Sequence, residues 1–308
     1  MRRRLALALG AVAALGLALS LTTQAGQPGK ATYLGSYRWA MDDPAFGGLS
    51  SLAMLEGGTR LIAMSDSADL FQARVTRDAS GRITAITTGR PQRLRAIAGE
   101  ALAGKASDAE GLALDPQGGF FVSFEAQHRI RHYPAPDQPA LRVPGHPDFA
   151  ALQINSGLEA LAIDARGHLF TLPERSGAMD RPFPVYRFDG QGWDIPFRIP
   201  RSGPFLPVSA DIGPDGWLYI LERALTGPGF RSRLRRFDIT GDRLNAEELL
   251  LQTRTRQHDN LEGLSVWQDG QGRIRLSMVS DDNFKFFQRS EIVEYALDAP
   301  LASLPDKE

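Results

Sequence analysis

Short apolar runs along this chain are broken by Asp/Gly turns and followed at once by a second apolar run, and the unit recurs about every fifty residues. It starts at Gly48 ("GLSSLAMLEGGTRLIAMSDSADLFQARV"), Glu110 ("EGLALDPQGGFFVSFEAQHRIRHYP"), Leu158 ("LEALAIDARGHLFTLPERS"), Val208 ("VSADIGPDGWLYILERA") and Leu261 ("LEGLSVWQDGQGRIRLSMVSDDN"). A period of that length marks a repeat architecture. The connections Asp115-Pro116-Gln117-Gly118, Asp164-Ala165-Arg166-Gly167, Gly213-Pro214-Asp215-Gly216 and Asp269-Gly270-Gln271-Gly272 supply a glycine for positive φ, so each unit opens as a β-hairpin. A third alternating segment follows ("HRIRHYP", "FPVYRFDG", "SRLRRFDI", "SEIVEYAL"), and usually a fourth. Four antiparallel strands per unit predict the blades of an all-β propeller.

The last unit lacks a fourth strand after "EIVEYAL", whereas "ATYLGSYRWA" (Ala31 to Ala40) precedes the first unit without a partner. The N-terminal strand is therefore expected to complete the final blade and remove the exposed edges. This count gives five blades, with six as the alternative because the first unit is the longest. Helical patterning is sparse, and only "NAEELLLQ" has an amphipathic helical look.

In a propeller the innermost strand begins, and the second strand ends, at one face around the channel mouth. The first-strand starts bring Ser50, Glu110, Glu159, Ala210 with Asp211, and Glu262; the second-strand ends bring Asp66, Glu125, Glu174, Glu222 and Asp281. Like charges gathered in this way require a bound cation, buried arginines or raised carboxyl pKa values. His128 and Arg129 follow Glu125, Arg175 follows Glu174, Arg223 follows Glu222 and Lys285 follows Asp281, as salt-bridge partners or as contacts for an anionic ligand. Enlarged crossings on this side carry Arg181, Arg231, Arg233, Lys285 and Arg289 with Phe183, Phe230 and Phe286, a partly basic, partly aromatic wall. Asp115, Asp164 and Asp269 are expected in turns on the opposite face.

"MRRRLALALGAVAALGLALSLTTQA" reads as a signal peptide, cleaved near Ala25 and leaving one domain over residues 26–308 in the periplasm or outside the cell; a retained anchor is the other reading. Taking the three leader arginines from the 35 basic residues leaves 32 against 36 acidic ones. A mildly acidic chain argues against a nucleic-acid partner, and none of the segments after the leader is apolar for long enough to span a membrane. With no cysteine, disulfides and thiol chemistry are excluded. The five histidines lack zinc spacing, although His128 and His258 fall near the mouth, so the acidic ring points to calcium before magnesium. Nucleophile-elbow, Walker, dinucleotide and His-Glu-x-x-His motifs are absent.

"DAEGLALD", "GLEALAID", "LPERS", "ILERA" and "NLEGLSVW" with "SMVSDDNF" resemble the exported bacterial propeller family described by the esterase-like activity of phytase, over about Tyr33 to Leu297. The resemblance implies hydrolysis of a phosphoester or other anionic small molecule, assisted by metal. It implies an acidic first-strand motif at Asp108, Glu110, Glu159 and Glu262, and a second-strand motif at Glu125, Glu174, Arg175, Glu222, Arg223, Asp281, Asp282 and Asn283. On this reading a divalent cation sits among Asp108, Glu110, Glu159, Glu222, Glu262 and Asp281. Glu125 or Glu174 is the general base, Arg175 and Arg223 stabilise charge, and His128, Arg129, Asn283 and Lys285 contact substrate. Ser50 and Ala210 break the pattern and imply a lopsided site. The competing readings are a ligand- or protein-binding propeller without activity, and a metal-dependent lactonase or carboxyl esterase.

Overall fold

The computed structural model describes residues 30–227, 229–285 and 288–297. The proposed signal peptide, residues 1–25, lies outside them. After β1 (Ala31–Arg38), blade 1 contains β2 (Leu49–Leu55), β3 (Arg60–Ser65), β4 (Asp69–Arg77) and β5 (Ile83–Thr88), with a short β6 (Gln92–Arg93) also paired to β4. Blade 2 is β7 (Ala109–Leu114), β8 (Phe120–Phe124), β9 (Arg129–Tyr133) and β10 (Leu141–Arg142). Blade 3 is β11 (Leu158–Ile163), β12 (Leu169–Pro173), β13 (Phe183–Phe188) and β14 (Trp193–Ile199). Blade 4 is β15 (Leu206–Ile212), β16 (Leu218–Thr226), β17 (Gly229–Asp238) and β18 (Ala246–Gln252). Blade 5 joins β19 (Asn260–Gln268), β20 (Ile274–Asp281) and β21 (Glu291–Leu297) to β1.

Five blades, not six, thus surround the axis, and β1 closes the ring by pairing Ala31 to Leu297 through Arg38 to Glu291. The amphipathic "NAEELLLQ" is largely strand β18, because the open edge of β17 offers its backbone a ladder that an isolated turn of helix lacks. The expected turns hold: Asp164 Oδ1 accepts from the N–H groups of Arg166 and His168, and Asp269 Oδ1 from those of Gln271 and Arg273.

The inner strands β2, β7, β11, β15 and β19 lie against one another in ring order. Neighbouring blades cover both faces of the inner part of each sheet, so β20 is buried along its whole length, whereas the outer β5 alternates between half-buried and exposed positions. Apolar residues fill every seam between consecutive blades, for example Leu112 with Met64, Leu161 with Ile130, and Leu264 with Leu221. Inner strands are also sheet edges, and their spare backbone groups need partners. Side chains of adjacent blades supply several: Ser50 Oγ donates to the Ala109 carbonyl (2.8 Å), Ser265 Oγ accepts from Met54 N (2.9 Å), and Asp211 accepts from Val266 N (2.7 Å). Asp211 is therefore a seam latch and not part of the mouth; burial pushes its pKa up to about 7.

The seam between blades 5 and 1, beside the blade in which β1 pairs with β21, carries a buried ion cluster. Glu294 is held by Arg77 (2.6 and 2.9 Å), Arg275 (3.0 Å) and Ser277 Oγ (2.8 Å). Removing the carboxylate would leave two guanidinium groups buried without it, so Glu294→Ala is expected to lower stability by about 3–5 kcal/mol. Urea unfolding checks this, and a loss below about 1 kcal/mol would assign ring closure to strand pairing and apolar packing alone.

Candidate functional site

Every inner strand carries a break in register at its start. Pairing slips between Leu49 and Ser51, between Ala109 and Leu112, between Leu158 and Ala160, between Pro207 and Ser209, and between Leu261 and Gly263. The residues left unpaired are Ser50, Glu110 with Gly111, Glu159, Val208 and Glu262. A bulge re-aims a side chain out of the strand's alternation, and here the repeated glutamate occupies it. The next residue is small because the inner strands converge. A Cβ on Gly111 would come within 2.6 Å of Leu161 Cβ, and one on Gly263 within 2.9 Å of the Ser51 backbone. The following residue, Leu52, Leu112, Leu161, Ala210 or Leu264, enters a seam. The Glu-Gly-Leu signature is thus a bulge, a close approach and a packed side chain.

The same register identifies the second-strand positions. Leu49, Ala109, Leu158, Pro207 and Leu261 face Ser65, Phe124, Pro173, Glu222 and Ser280, so the next residues are Asp66, Glu125, Glu174, Arg223 and Asp281. Two sequence assignments change. In blade 4 the bulge position belongs to Val208 and not Ala210, and the ring position belongs to Arg223 and not Glu222. Glu222 is fully buried with both oxygens taken by Arg233 (2.7 and 3.0 Å) and Arg235 (2.7 and 2.6 Å), so it is not available as a metal ligand. Arg233 is consumed in the same pair and leaves the basic wall proposed from sequence, and Phe183 leaves it for the core between blades 3 and 4.

Four blades therefore bring carboxylates to the mouth and blade 4 brings a guanidinium. Arg223 bonds Glu262 and Asn260 Oδ1 (2.8 Å) and lies 3.5 Å from Glu174. Burial disfavours its charge, but Glu262, Glu159 and Glu174 together outweigh that and raise its pKa. The remaining acids are undercompensated. Burial first, then the charges of Glu262, Glu125, Asp108 and Asp66, push Glu110 well above the usual carboxylate range. Glu159 rises likewise through burial and then Glu110, Glu125 and Glu174, with Arg223 opposing.

Burial raises Glu125 despite hydrogen bonds from Glu159 and from Gly157 N (2.8 Å). Burial also raises Asp108 against Arg129 and His128, and raises Asp66 against its Ser67 hydrogen bond. Burial and Glu262 lift Asp281 to about 7.

Asp108, Glu110 and Glu125 each direct a carboxylate oxygen to one point, the three lying within 4.8 Å of one another. This donor set fits a hard divalent cation, which would relieve the repulsion that raises these pKa values; it does not select calcium over magnesium. Of the other residues proposed as ligands, Glu159 adjoins the trio, whereas Glu262 and Asp281 belong to the blade 5 side with Asn260.

The proposed substrate contacts are scattered. Arg129 is tied to the carbonyls of Gln127 and Ala106 and stacks on Phe124 with Cζ 4.1 Å from the ring centroid. His128 lies over Gly157, where an added Cβ would come within 2.1 Å of its ring. Arg175 is half-exposed, donates to Ser156 Oγ (2.8 Å) and flanks Glu174 (3.5 Å). Asn283 and Lys285 are exposed on the loop after β20, with Asn283 N donating to Asp281 Oδ1 (2.6 Å). His258 packs against Tyr33 and bonds Tyr295 Oη (2.9 Å); burial drops its pKa to about 4, so it is a neutral packing residue and not a ligand of the acidic trio. Phe286 lies outside the described residues.

A family model described as Phytase-like, esterase-like activity of phytase, matches residues 44–284. No curated protein matches the chain. Among solved structures, a hydrazine synthase from Kuenenia stuttgartiensis aligns at 14% identity over 82% of this chain and 61% of its own, with a TM-score of 0.42, so this chain spans less than two thirds of that protein. A gluconolactonase from Xanthomonas campestris aligns at 15% identity over 77% and 68%, TM-score 0.40. The Pan2 WD40 domain of Neurospora crassa aligns at 9% identity over 88% and 96%, TM-score 0.45. Nothing about activity follows from likenesses at these levels.

The raised carboxyl values set a pH dependence. The folded state holds protons that the unfolded chain releases above its ordinary carboxyl pKa of about 4, so stability falls as pH rises from there through about 7, where Asp281 titrates. Thermal melts in chelator should show Tm declining across that window. Millimolar calcium or magnesium should raise Tm more at pH 8 than at pH 5; a pH-independent Tm that ignores both cations would contradict the charge balance described above.

Removing the single ring cation should sharpen this effect. Arg223→Met is expected to cost about 3–5 kcal/mol at pH 8 and clearly less at pH 5, where the acids neutralise themselves. Denaturant unfolding at the two pH values measures it, and an equal loss at both would make Arg223 a packing residue.

Proposed function

Because the chain belongs to the phytase-like family, described by the esterase-like activity of phytase, we propose that it is an exported hydrolase that cleaves a phosphoester at the mouth of its propeller channel. The observation that carries this reading is the convergence of Asp108, Glu110 and Glu125 with Glu159, raised together in pKa, beside the half-buried Arg223 of the ring. Separated acid and base roles at neutral pH require carboxyl groups whose environments hold protons above the ordinary range.

Asp108, Glu110 and Glu125 would hold a divalent cation, which when bound supplies charge neutralisation at a phosphoryl oxygen and a more acidic water. Glu159, whose burial among other carboxylates favours its protonated form, stands as the donor to the leaving oxygen. Glu174, flanked by Arg175 and Arg223 at 3.5 Å, is placed to accept a proton from water. Arg175, half-exposed at the rim, orients the incoming anion. Arg223 is already committed to Glu262, Glu174 and Asn260, and its role is to hold these groups in place. The arginine-then-apolar sequence of residues 1–25, read as a signal peptide, supports a periplasmic or secreted location.

One feature favours a second reading, an uncharged carboxyl ester or lactone as substrate: mouth carboxylates outnumber mouth cations, so a neutral ester meets less repulsion than a phosphoester. Hydrolysis of phosphomonoesters, phosphodiesters, carboxyl esters and lactones by the mature protein, with calcium, magnesium or chelator, separates the two. The expected result is cation-dependent phosphoester turnover, with kcat reduced about 10²-fold or more in Glu159→Gln and lost in Glu110→Gln, both variants remaining folded. Turnover of carboxyl esters or lactones alone would select the second reading, and no turnover of any ester would leave a binding propeller.

A further inference from the structure

Beside the acidic mouth, between blades 4 and 5, lies a cleft of about 420 Å3 with the opposite charge. Arg256, Lys285 and Arg289 line it together with Phe230, His258 and Asp259. Among the described residues none of the three cations forms an ion pair within 4.0 Å. Asp259, the carboxylate among them, is held by neutral donors: its Oδ1 accepts from Asn260 N (3.0 Å) and Gln288 Nε2 (3.1 Å), and its Oδ2 from Arg289 N (3.0 Å), so no cationic side chain is spent on it. His258 is neutral, and Glu291 lies behind it, 3.9 Å from His258 Nδ1. Three positive charges thus face the single carboxylate of Asp259 across a concave surface, with Glu291 acting on Arg289 only beyond ion-pair distance.

Arg256 is built into position. Its φ of 62° is a left-handed conformation that a non-glycine residue rarely adopts, and its N–H donates to the Phe230 carbonyl (2.9 Å), which fixes that turn to the β17 strand. Its aliphatic stem crosses Gly229 so closely that a Cβ there would lie 2.4 Å from Arg256 Cγ. Phe230 also carries the Arg223 guanidinium on its ring, 5.5 Å from the centroid, so the cleft adjoins the mouth through one shared aromatic.

We infer that this cleft is a binding site for a small oxyanion that the Arg256 guanidinium can pair, with phosphate preferred to carboxylate because its larger negative charge gains more from three cations. The site does not require that any ester be turned over. Phosphate and carboxylate share the chemistry, and separate titrations distinguish them.

The experiment is isothermal titration of the folded mature protein, at low ionic strength and in the presence of EDTA, with inorganic phosphate and separately with acetate. Phosphate is expected to bind more tightly than acetate. Arg256→Gln should weaken it about tenfold or more, a single lost charge-assisted contact. Arg256→Asn, which tolerates the left-handed backbone, should do the same, guarding against a folding defect. Lys285→Gln should weaken binding further in combination, and Glu110→Gln should leave it unchanged. Absence of phosphate binding in the wild-type protein, or equal binding in the Arg256 variants, would overturn the assignment. So would binding that appears only when calcium is added and disappears in Glu110→Gln, because the anion would then belong to the mouth. If phosphate binds as expected while no ester is hydrolysed, the cleft stands and the hydrolase reading fails.

Discussion

Repulsion among carboxylates crowded at one end of the channel is the constraint on which the rest of this site depends. Bulged glutamates from blades 2, 3 and 5 and second-strand acids from blades 1, 2, 3 and 5 converge on the mouth, where burial removes the water that would screen them. Blade 4 answers with a single guanidinium and an apolar Val208 in place of a further acid pair. Arg223 meets the acids on the blade 3 and blade 5 sides, Glu174 and Glu262, and leaves Asp108, Glu110 and Glu125 on the far side with no ion pair among the described residues, Arg129 acting on Asp108 only at longer range. Asymmetry in one blade thereby creates a localised acidic trio out of an otherwise repetitive ring.

The scaffold tolerates that charge because stability is secured elsewhere. Apolar seams, serine and aspartate latches between inner strands, and the Glu294 cluster at the closing seam fix the blades. The mouth can then hold acids whose pKa values are raised by burial and mutual repulsion without requiring them for the fold. Structural ion pairs and functional charges are segregated by the two faces of each strand: Glu222 and Arg223 are adjacent in sequence, yet one locks β16 to β17 and the other governs the mouth.

That adjacency also explains where the sequence was misleading. Blade count, ring closure by the N-terminal strand, and the turn aspartates were legible because Asp/Gly turns punctuate a regular period and hairpin chemistry is local. The bulged glutamates were legible as a repeated motif, although the bulge itself was not, since a register slip depends on pairing and not on composition. "LPERS" and "ILERA" read alike, but Glu174 and Glu222 differ by one step of register and so face opposite sides. Counting from the turn would have shown it: Glu125, Glu174 and Arg223 each fall seven residues after Gly118, Gly167 and Gly216, and Glu110, Glu159 and Val208 each fall five before Asp115, Asp164 and Gly213. Arg256 carried no motif; its position follows from a left-handed turn and a glycine on the neighbouring strand.

The charge state of the trio and its neighbour is the most direct point of attack. Carbon-detected NMR of the glutamate side-chain carboxyls, titrated from pH 3 to pH 9 in chelator and again in calcium, reports each group separately. Glu110 and Glu159 are expected to titrate well above the ordinary carboxylate range of about 4 in chelator, and added cation to move Glu110 sharply downward. If every mouth glutamate titrates near 4, with or without cation, the crowded acidic site described here does not exist in solution.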